Sequence, residues 1–477
     1  MYRRAFLKQM VHVGAGLSLS CRLGCMQSRT FERPNVLILI ADDMNDYGFY
    51  DTYPGVKMPY MEKFKKTALT FDRAYCGSPA CVPSRAAVFS GMYPHTTGSY
   101  LNVSDPWKQV PFTNIESMPE CFKRNGYTTF GRGKLFHSAP EPKRKKAMWD
   151  NEVWGGGFGP FPPEKDQVKG KFWGCTAWEG SDTDFPDVKN ANATIEFLKQ
   201  DHDKPFFLVY GLWRPHTPFT AQKRFFDMYK PKDIHISMPG WRQNDMDDIP
   251  PLGRKLAKVW GDRFSVAGIN DQEQWRKFVL AYCARTTFAD YSVGRIIEAL
   301  DQSPYAENTI VIFWSDNSYH CGEKNHWEKT TLWEQAALTP MAIRLPGRCN
   351  GGKNCGRTVT TVDLFPTLVD YCRLEPPQHK LEGRNLRPLF EDPTAKWNRP
   401  ALTTYGEKYA SIRDERYRYI RYPDGTEELY DHQNDTHEIN NLALNPAYNA
   451  IKKPLAGWIP DTWAKSLGGR LGWPAEL

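Results

Sequence analysis

The 477-residue sequence lacks several patterns that would assign it to a protein class directly. Its 11 cysteines form no Cys-x-x-Cys pair, so the usual zinc, iron–sulfur and dithiol signatures are missing. No segment after the N-terminal region is long and apolar enough to cross a bilayer, so no stable membrane span is expected. No internal repeat is visible, which excludes a repeat architecture. The net charge of +7 is modest for this length and would favour an anionic partner, whether polysaccharide, membrane surface or nucleic acid, without selecting among them. We expect no nucleic-acid partner.

The composition that remains is that of a soluble globular enzyme. Hydrophobic residues make up 40% of the chain and charged residues 25%, which is too apolar for a disordered protein. Sixteen tryptophans and 23 tyrosines favour ligands with flat faces, such as sugars.

The N-terminus resembles a targeting segment. Arg3 and Arg4 precede a short, weakly apolar stretch that ends in small residues, which predicts a twin-arginine export signal over residues 1–33. We therefore expect an exported protein, periplasmic or secreted, that uses the export machinery. Lipidation of Cys21 or Cys25 is not expected, because the residues around them do not fit a lipoprotein signal. In an exported protein some cysteines should be paired, and "CNGGKNC" (349–355) predicts a loop-closing disulfide.

The middle of the chain alternates buried strands with helices. Short apolar runs bounded by turn residues occur at 35–43, 127–134, 205–216 and 308–317. Continuous apolar runs indicate strands buried on both faces, as in parallel sheets. Helical spacing of apolar residues before the last run predicts a crossover helix. The fold class is therefore α/β, with a large, mixed, mostly parallel sheet flanked by helices.

Two further regions complete the predicted organisation. The Gly-, Pro- and Trp-rich segment 138–190 shows little periodicity and predicts a long functional loop, with its basic run "EPKRKK" exposed to solvent. "YASIRDERYRYIRYPDGTEELYD" predicts short antiparallel strands around a Pro-Asp-Gly turn. We predict a catalytic domain over 34–395 and a smaller α+β subdomain, built on a short antiparallel sheet, over 396–477.

Polar residues follow each predicted strand. They are Asp42 and Asp43, Lys134 and His137, His216, and Asp316 and Asn317. Ligands of open parallel sheets bind beyond the carboxyl ends of the strands, so these residues are expected to share one site.

The two acidic pairs predict a metal site. Asp42, Asp43, Asp316 and Asn317 offer only oxygen donors, which suit Ca²⁺ or Mg²⁺ better than zinc. Either pair alone is more simply a helix cap or a strand end. Their occurrence together at strand ends favours the metal.

The cationic residues predict an oxyanion pocket. Arg85, Lys134, His137, His216 and Lys329 together suit a group with several equatorial oxygens. A histidine is also a natural proton donor to a leaving alcohol. Any one of these residues alone is more often a surface cation or a hydrogen-bonded core histidine.

The stretch "SPACVPSRAAVFSG" (78–91) predicts a helix with Pro83 in its first turn and Gly91 at its end. Cys81 would lie at the positive end of this helix, which lowers the pKa of a thiol and permits a thiolate nucleophile. A thiolate is, however, a poor partner for a hard cation, which an oxygen nucleophile fits better.

At this point the sequence resembles a known family. "CVPSRAAVFSG" is similar to the signature Cys-x-Pro-Ser-Arg of the formylglycine-dependent sulfatases, within the alkaline phosphatase superfamily, with Ser90 at a position where threonine is usual. "NVLILIADDM", "WSDNSYHCGEKNHWEKTTLWEQ" and "TVDLFPTLVDYC" also resemble sulfatase segments. "GRGKLFH" and "RPHTPF" are most similar to the iduronate-2-sulfatase-like branch.

The resemblance implies an alkaline-phosphatase-like fold and a specific chemistry. Cys81 would be oxidised to formylglycine by a maturation enzyme, and the hydrate of the aldehyde would be the nucleophile. One divalent cation, usually Ca²⁺ and alternatively Mg²⁺, would be held by residue 81 and the two acidic pairs described above. The substrate would be a sulfated carbohydrate, and the branch favours a 2-O-sulfated uronic acid of a glycosaminoglycan or marine polysaccharide.

The resemblance also implies roles for the cationic residues. Arg85 would steady the hydrated aldehyde, and Lys134 and His137 would flank it. His216 and Lys329 would grip the sulfate and assist the leaving alcohol. Beside the second acidic pair, His320 and Lys324 are predicted substrate contacts and equally plausible loop residues.

Three other functions stay open at this level. A phosphodiesterase or phosphonate monoester hydrolase would use the same scaffold. An inactive polysaccharide-binding module would use the Arg- and Tyr-rich stretch 413–422. A cysteine hydrolase would use the unmodified thiolate of Cys81.

Overall fold

The computed structural model describes residues 33–468 except 103–104, 138–139, 152–154, 169, 236–241, 243, 258–271 and 349. The predicted export signal, apart from Arg33, lies outside the described residues and stays a prediction. Within the described part of the chain, every helix is too short or too polar to cross a membrane.

The strands of the described residues are β1 Asn35–Asp42, β2 Leu69–Tyr75, β3 Thr128–Gly133, β4 Cys175–Trp178, β5 Phe206–Pro215, β6 Phe219–Gln222, β7 Thr309–Ser315, β8 His320–Cys321, β9 Trp327–Glu328, β10 Met341–Arg344, β11 Lys353–Thr360, β12 Ala401–Thr404, β13 Ala410–Arg413, β14 Tyr417–Arg421 and β15 Glu427–Asp431. The helices of the same residues are α1 Pro59–Lys65, α2 Cys81–Ser90, α3 Pro94–Thr97, α4 Met118–Arg124, α5 Pro142–Met148, α6 Pro186–Leu198, α7 Lys223–Phe226, α8 Pro251–Ala257, α9 Gln272–Asp301, α10 Glu334–Ala337, α11 Leu364–Tyr371, α12 Arg387–Glu391 and α13 Asn449–Ala456.

The main sheet has seven strands in the order β11-β2-β10-β7-β1-β5-β3. Neighbouring strands are parallel except at β10, which is antiparallel to both β2 and β7. The four predicted strands are β1, β3, β5 and β7, and the crossover helix is α9, which leads into β7. The predicted mixed, mostly parallel sheet is confirmed.

Strand β1 shows why these runs are apolar throughout. Val36 and Ile38 face a core that contains side chains of α2, α4 and α11, whereas Leu37 and Leu39 face a core that contains side chains of α9. Alternate residues of a strand point to opposite faces, so a strand covered on both sides needs an apolar residue at each position.

The arrangement of the central strands positions the site. Strands β7, β1 and β5 are adjacent and parallel, so their carboxyl ends emerge side by side. Helix α2 begins at Cys81 and ends at Gly91, whose φ of 68° forms the left-handed cap that the sequence predicts.

The C-terminal strands form a separate antiparallel sheet in the order β12-β13-β14-β15. Gly425, at φ 83°, lies in the Pro-Asp-Gly turn between β14 and β15. The predicted antiparallel sheet is confirmed, while the domain boundary at residue 395 stays a prediction.

Segment 138–190 is more regular than predicted, because it contains α5, β4 and the start of α6. The "EPKRKK" run lies mostly in α5 rather than in a loop, while Lys143 and Lys146 are exposed to solvent as predicted. Arg144 is half-buried, and its guanidinium donates to the carbonyl oxygens of Phe112 at 2.7 Å and Ile115 at 2.6 Å. Only Met148 of α5 is buried, so this short helix has no apolar periodicity to reveal it.

The predicted disulfide can be assessed at only one of its two cysteines. Cys355 is a free, buried thiol whose Sγ lies 3.3 Å from the carbonyl oxygen of Pro393. Its side chain belongs to a core of the main sheet and is turned away from solvent. Its predicted partner, Cys349, lies outside the described residues.

Candidate active site

The two acidic pairs and Cys81 meet at the carboxyl ends of β1 and β7. Asp42 is the last residue of β1, and Asp43 follows it with a left-handed backbone, at φ 63°. Asp316 and Asn317 come directly after β7. Ligand atoms of Asp42, Asp43, Cys81 and Asp316 all lie within 4.8 Å of one another. The predicted ligand set is therefore one buried cluster.

Arg85 lies one turn after Cys81 on α2 and crosses the same cluster. Its Nε donates to Asp316 Oδ2 at 2.7 Å, and its Nη1 donates to the carbonyl oxygen of Lys134. Its Nη2 lies 3.7 Å from Asp42 Oδ1 and is buried without a hydrogen-bond partner. The unused N–H groups of Nη2 remain available to an anion.

Two lysines complete the charge balance. Lys134 Nζ lies 2.5 Å from Asp42 Oδ2, and Lys329 Nζ lies 2.5 Å from Asp43 Oδ1 and 3.1 Å from Cys81 Sγ. Burial would raise the pKa of Asp42, but the neighbouring ammonium of Lys134 and other cations hold that pKa at about 2. Burial would lower the pKa of Lys329, but Asp43 and the other acidic groups raise it well above its usual value.

Two histidines flank the cluster. His216 follows β5, with Nε2 3.6 Å from Asp43 Oδ2 and Nδ1 2.8 Å from the carbonyl oxygen of Thr217. Burial lowers the pKa of His216 to about 4, although Asp43 opposes this shift. Burial and the nearby Lys134 lower the pKa of His137 well below its usual value, and its buried Nδ1 has no hydrogen-bond partner.

The cluster fits a hard divalent cation. Within the described residues, Asp43 Oδ2 and Asn317 Oδ1 are buried and have no hydrogen-bond partner. Buried polar atoms are normally paired, so two open oxygens beside three carboxylates fit the ligand set of a cation. The carboxylate and amide oxygens in the cluster are the donors that Ca²⁺ and Mg²⁺ prefer.

The charges also indicate what the cluster would bind. The three carboxylates are matched by three cations, Arg85, Lys134 and Lys329. A bound divalent cation would leave this buried site with excess positive charge, which an anionic substrate group would compensate.

Cys81 itself departs from the sequence prediction. Burial raises the pKa of its thiol, and the ammonium groups of Lys134 and Lys329, which oppose the shift, do not offset it. The predicted lowering of the thiol pKa is therefore wrong, because the partial charge of a helix end does not offset complete burial. The geometry does not favour a cysteine hydrolase that uses the free thiolate.

The two predicted substrate contacts lie outside the cluster. His320, in β8, is buried with Nε2 3.0 Å from Thr331 Oγ1. Lys324 is buried with Nζ 3.3 Å from Asp245 Oδ1, and it donates to the carbonyl oxygen of Glu438. Their role toward a substrate stays a prediction.

Sequence reasoning missed the residues that hold the loop after β1. The hydroxyl group of Tyr282 donates to the carbonyl oxygen of Asp43 at 2.7 Å and accepts from the backbone N–H of Asn45 at 2.9 Å. Ser315 Oγ accepts from the backbone N–H of Met44 at 2.9 Å. Helical spacing marks Tyr282 only as a core residue, and its polar tip leaves no signal in one sequence.

Comparison with known proteins agrees with this geometry. The family model described as "Sulfatase" matches residues 34–373, and a model described as "N-sulphoglucosamine sulphohydrolase, C-terminal" matches residues 322–463. A sulfatase of Formosa agariphila is 34% identical over 471 residues, which cover 93% of this chain and 90% of the relative.

Two further similarities place the chain more broadly. Human iduronate 2-sulfatase is 26% identical over 444 residues, which cover 79% of each chain. The solved phosphonate monoester hydrolase of Agrobacterium radiobacter superposes with a TM-score of 0.71 at 22% identity, over 89% of this chain and 94% of that one. This superposition shows that the two proteins share a fold.

Proposed function

The chain belongs to the sulfatase family and is a sulfuric ester hydrolase, and from this premise we propose that it cleaves a sulfate ester of a carbohydrate with the oxidised form of Cys81 as nucleophile. The observation that carries the proposal is the position of Cys81. Its Sγ lies 3.5 Å from Asp42 and 3.1 Å from the ammonium of Lys329, inside a buried cluster with open oxygen ligands.

The cation of this proposal would be held by Asp42, Asp43, Asp316 and Asn317 together with residue 81. The oxygen donors suit Ca²⁺ or Mg²⁺, and the resemblance to the sulfatases favours Ca²⁺. When bound, the cation would make an adjacent hydroxyl group more acidic and offset negative charge on the sulfuryl oxygens.

Cys81 suits the role of a precursor better than that of a nucleophile. Burial raises the pKa of its thiol, and sulfur is a poor ligand for a hard cation. Formylglycine, formed by a maturation enzyme, would supply a hydrated aldehyde whose oxygens fit the same position. A twin-arginine signal exports folded proteins, so conversion in the cytoplasm would precede delivery to the periplasm or the medium.

The remaining side chains would bind the sulfate and move protons. Arg85 Nη2, Lys134 and Lys329 would contact the sulfuryl oxygens, since they surround Cys81 and carry the positive charge of the site. His216 has 18% of its side chain exposed, so the leaving alcohol can reach its Nε2. Because Nδ1 faces the carbonyl oxygen of Thr217, Nε2 carries a proton only in the imidazolium form, which the negative charge of a bound sulfate group would favour, and that form would protonate the leaving alcohol. His137, whose Nδ1 is buried and unpartnered among the described residues, is the proposed base.

One relative supports the proposed substrate class. Human iduronate 2-sulfatase matches over most of both chains. We therefore propose a 2-O-sulfated uronic acid, in a glycosaminoglycan or a marine polysaccharide, as the substrate.

Mass spectrometry combined with turnover tests the proposal. The enzyme is produced together with a formylglycine-generating enzyme, and the tryptic peptide that ends at Arg85 is weighed. We expect a peptide lighter than the cysteine form by replacement of sulfur with oxygen and loss of two hydrogens. Activity on 4-nitrophenyl sulfate should exceed that on a phosphonate monoester and fall on chelation. Only cysteine at position 81 in active enzyme would contradict the nucleophile, and faster phosphonate turnover would favour the alternative hydrolase.

A further inference from the structure

Three phenylalanines form an aromatic wall beside the candidate active site: Phe158, Phe161 and Phe172. The ring of Phe158 lies 4.6 Å from the ring of His216 and 5.2 Å from Nζ of Lys134. Phe158 also contacts Phe172 at 5.6 Å, and Phe172 contacts Phe161 at 5.3 Å. The wall therefore starts at the proposed proton donor and leads away from it.

The segment that carries the wall is anchored to the main domain. Arg214 Nη2 donates to the carbonyl oxygen of Gly159 at 2.9 Å, while its Nη1 is bound to Asp187 at 3.0 Å. Asn190 Nδ2 donates to the carbonyl oxygen of Gly155 at 2.6 Å, and a Cβ at Gly155 would lie 1.9 Å from the same Asn190 side chain. These contacts fix the position of the wall relative to β5 and α6.

The outer end of the wall combines an apolar surface with a positive charge. Phe172 is 37% exposed, so its ring presents an apolar face to solvent. Lys171 is exposed, and its Nζ lies 5.0 Å from the ring of Phe161 and 5.7 Å from the ring of Phe172. An aromatic ring with an adjacent cation complements a sugar that has one apolar face and one carboxylate.

We propose that the aromatic wall and Lys171 form the subsite for the uronic acid of the substrate. The leaving oxygen must lie near His216, so the sugar that carries it lies against Phe158 and points along the wall. The sugar ring packs on the wall, and its carboxylate pairs with Lys171. This inference rests on the proposed function, because it assumes a sulfated uronic acid.

The test compares Lys171→Ala with Lys63→Ala on three substrates. Lys63 is the matched control because its side chain is also exposed, at 69%. It pairs with Glu298 near the end of α9. That end leads into the amino end of β7, whereas the candidate active site lies at the carboxyl end of the same strand. The substrates are 4-nitrophenyl sulfate, a disaccharide with a 2-O-sulfated uronic acid, and the methyl ester of that disaccharide. The ester removes only the charge of the carboxylate.

We expect the parent enzyme to prefer the acid over its methyl ester. Lys171→Ala should reduce this preference about fivefold, through a higher KM for the acid, because a partly exposed ion pair contributes about that much to binding. Lys63→Ala should keep both this preference and the parent's activity on 4-nitrophenyl sulfate. Phe172→Ala should raise KM for both disaccharides about fivefold, and Phe172→Tyr should restore it.

The failures can be told apart. An enzyme that hydrolyses no sulfate ester overturns the proposed function and this inference with it. An enzyme that hydrolyses 4-nitrophenyl sulfate but neither disaccharide, or that uses acid and ester equally, overturns the subsite alone. An acid preference that survives in Lys171→Ala also overturns it.

Discussion

The protein contains two buried clusters of charge that differ in how completely their atoms are paired. One is the active-site cluster around Cys81. The other, here called the C-terminal network, lies between the main domain and the C-terminal sheet and consists of Glu334, Arg413, Arg418, His432 and Glu438.

In the C-terminal network the polar atoms are used. Each nitrogen of Arg418 donates: Nε to Glu438, Nη2 to Glu334, and Nη1 to Ser411 Oγ at 2.7 Å and to a backbone carbonyl. Glu438 also accepts from the backbone N–H of Glu334 at 2.8 Å. A network that is satisfied by its own chain has no atoms left for a ligand, so it holds the C-terminal sheet in place.

The active-site cluster leaves atoms open. Asp43 Oδ2, Asn317 Oδ1 and Arg85 Nη2 are buried without hydrogen-bond partners. Such atoms cost stability, and natural proteins retain them mainly where a ligand completes the pairing. Charge and burial alone do not separate the two clusters, whereas incomplete pairing does.

The same comparison decides against a second metal site. Ligand atoms of Glu334, His432 and Glu438 lie within 4.8 Å of one another, as in a metal site. Burial alone would raise the pKa of Glu334, but Arg413, His432 and Arg418 lower it by more. The pKa therefore lies below its usual value, and this carboxylate stays ionised. Arg418 already supplies the positive charge that a metal would bring.

The largest expected effect is on activity and follows Cys81→Ala. Loss of the nucleophile should reduce kcat on 4-nitrophenyl sulfate by about 10⁴-fold or more. The free energy of unfolding should change by no more than about 1 kcal/mol, because only one sulfur atom is removed. Cys372→Ala is the control, since it truncates another buried cysteine, and it should keep full activity. If both variants lose stability but only Cys81→Ala loses activity, the assignment of Cys81 is still supported. If Cys81→Ala stays active, the assignment is wrong.

The next effect is on stability and follows Arg418→Met. Removal of the guanidinium leaves Glu334 and Glu438 buried with less compensating charge, which should cost about 3–5 kcal/mol in urea unfolding. Folded enzyme should keep its kcat within about twofold. Glu438→Gln preserves volume and tests the same network if the first variant does not fold. Normal stability of both variants would show that the network does not hold the sheet.

The sequence predicts most residues of the active-site cluster well. Strands buried on both faces need continuous apolar runs, so their ends are visible in the sequence, and candidate site residues lie at those ends: Asp42 is the last residue of β1 and His216 follows β5. Helix α2 is likewise marked by Pro83 and Gly91. Local chemistry therefore locates these residues without knowledge of their distant partners.

The C-terminal network could not be predicted in this way. The stretch 413–422 is rich in charge and suggests an exposed binding strand, yet Arg413, Arg418 and Tyr422 are buried. Arg418 is neutralised by Glu334, 84 residues away in sequence, and one sequence does not show that pairing. The alternative of a polysaccharide-binding module based on this stretch is therefore not supported, because its cations are used internally.

A smaller effect concerns the open oxygens. If they await a cation, Ca²⁺ at 100 times its Kd should stabilise the chelated enzyme by about 2.7 kcal/mol, seen as a rise in melting temperature. Asn317→Ala removes an open oxygen and should weaken this response. Glu438→Gln should respond as the parent does, because the C-terminal network has no open ligand. Equal responses in all three proteins would place the cation elsewhere.

The smallest effect separates pairing from burial within the C-terminal sheet. Arg416 binds Asp431 through two contacts of 2.7 and 2.6 Å, but 45% of its side chain is exposed. Asp431 also accepts from the backbone N–H of Gln433 and from the amide of Asn434, so Arg416→Ala leaves this carboxylate with two hydrogen bonds. The loss in urea unfolding should be much smaller than the loss caused by Arg418→Met, because the guanidinium of Arg416 is exposed to solvent. If Arg416→Ala and Arg418→Met lost equal free energy of unfolding, the number of ion contacts, rather than the burial of unpaired charge, would determine the stability of the C-terminal sheet.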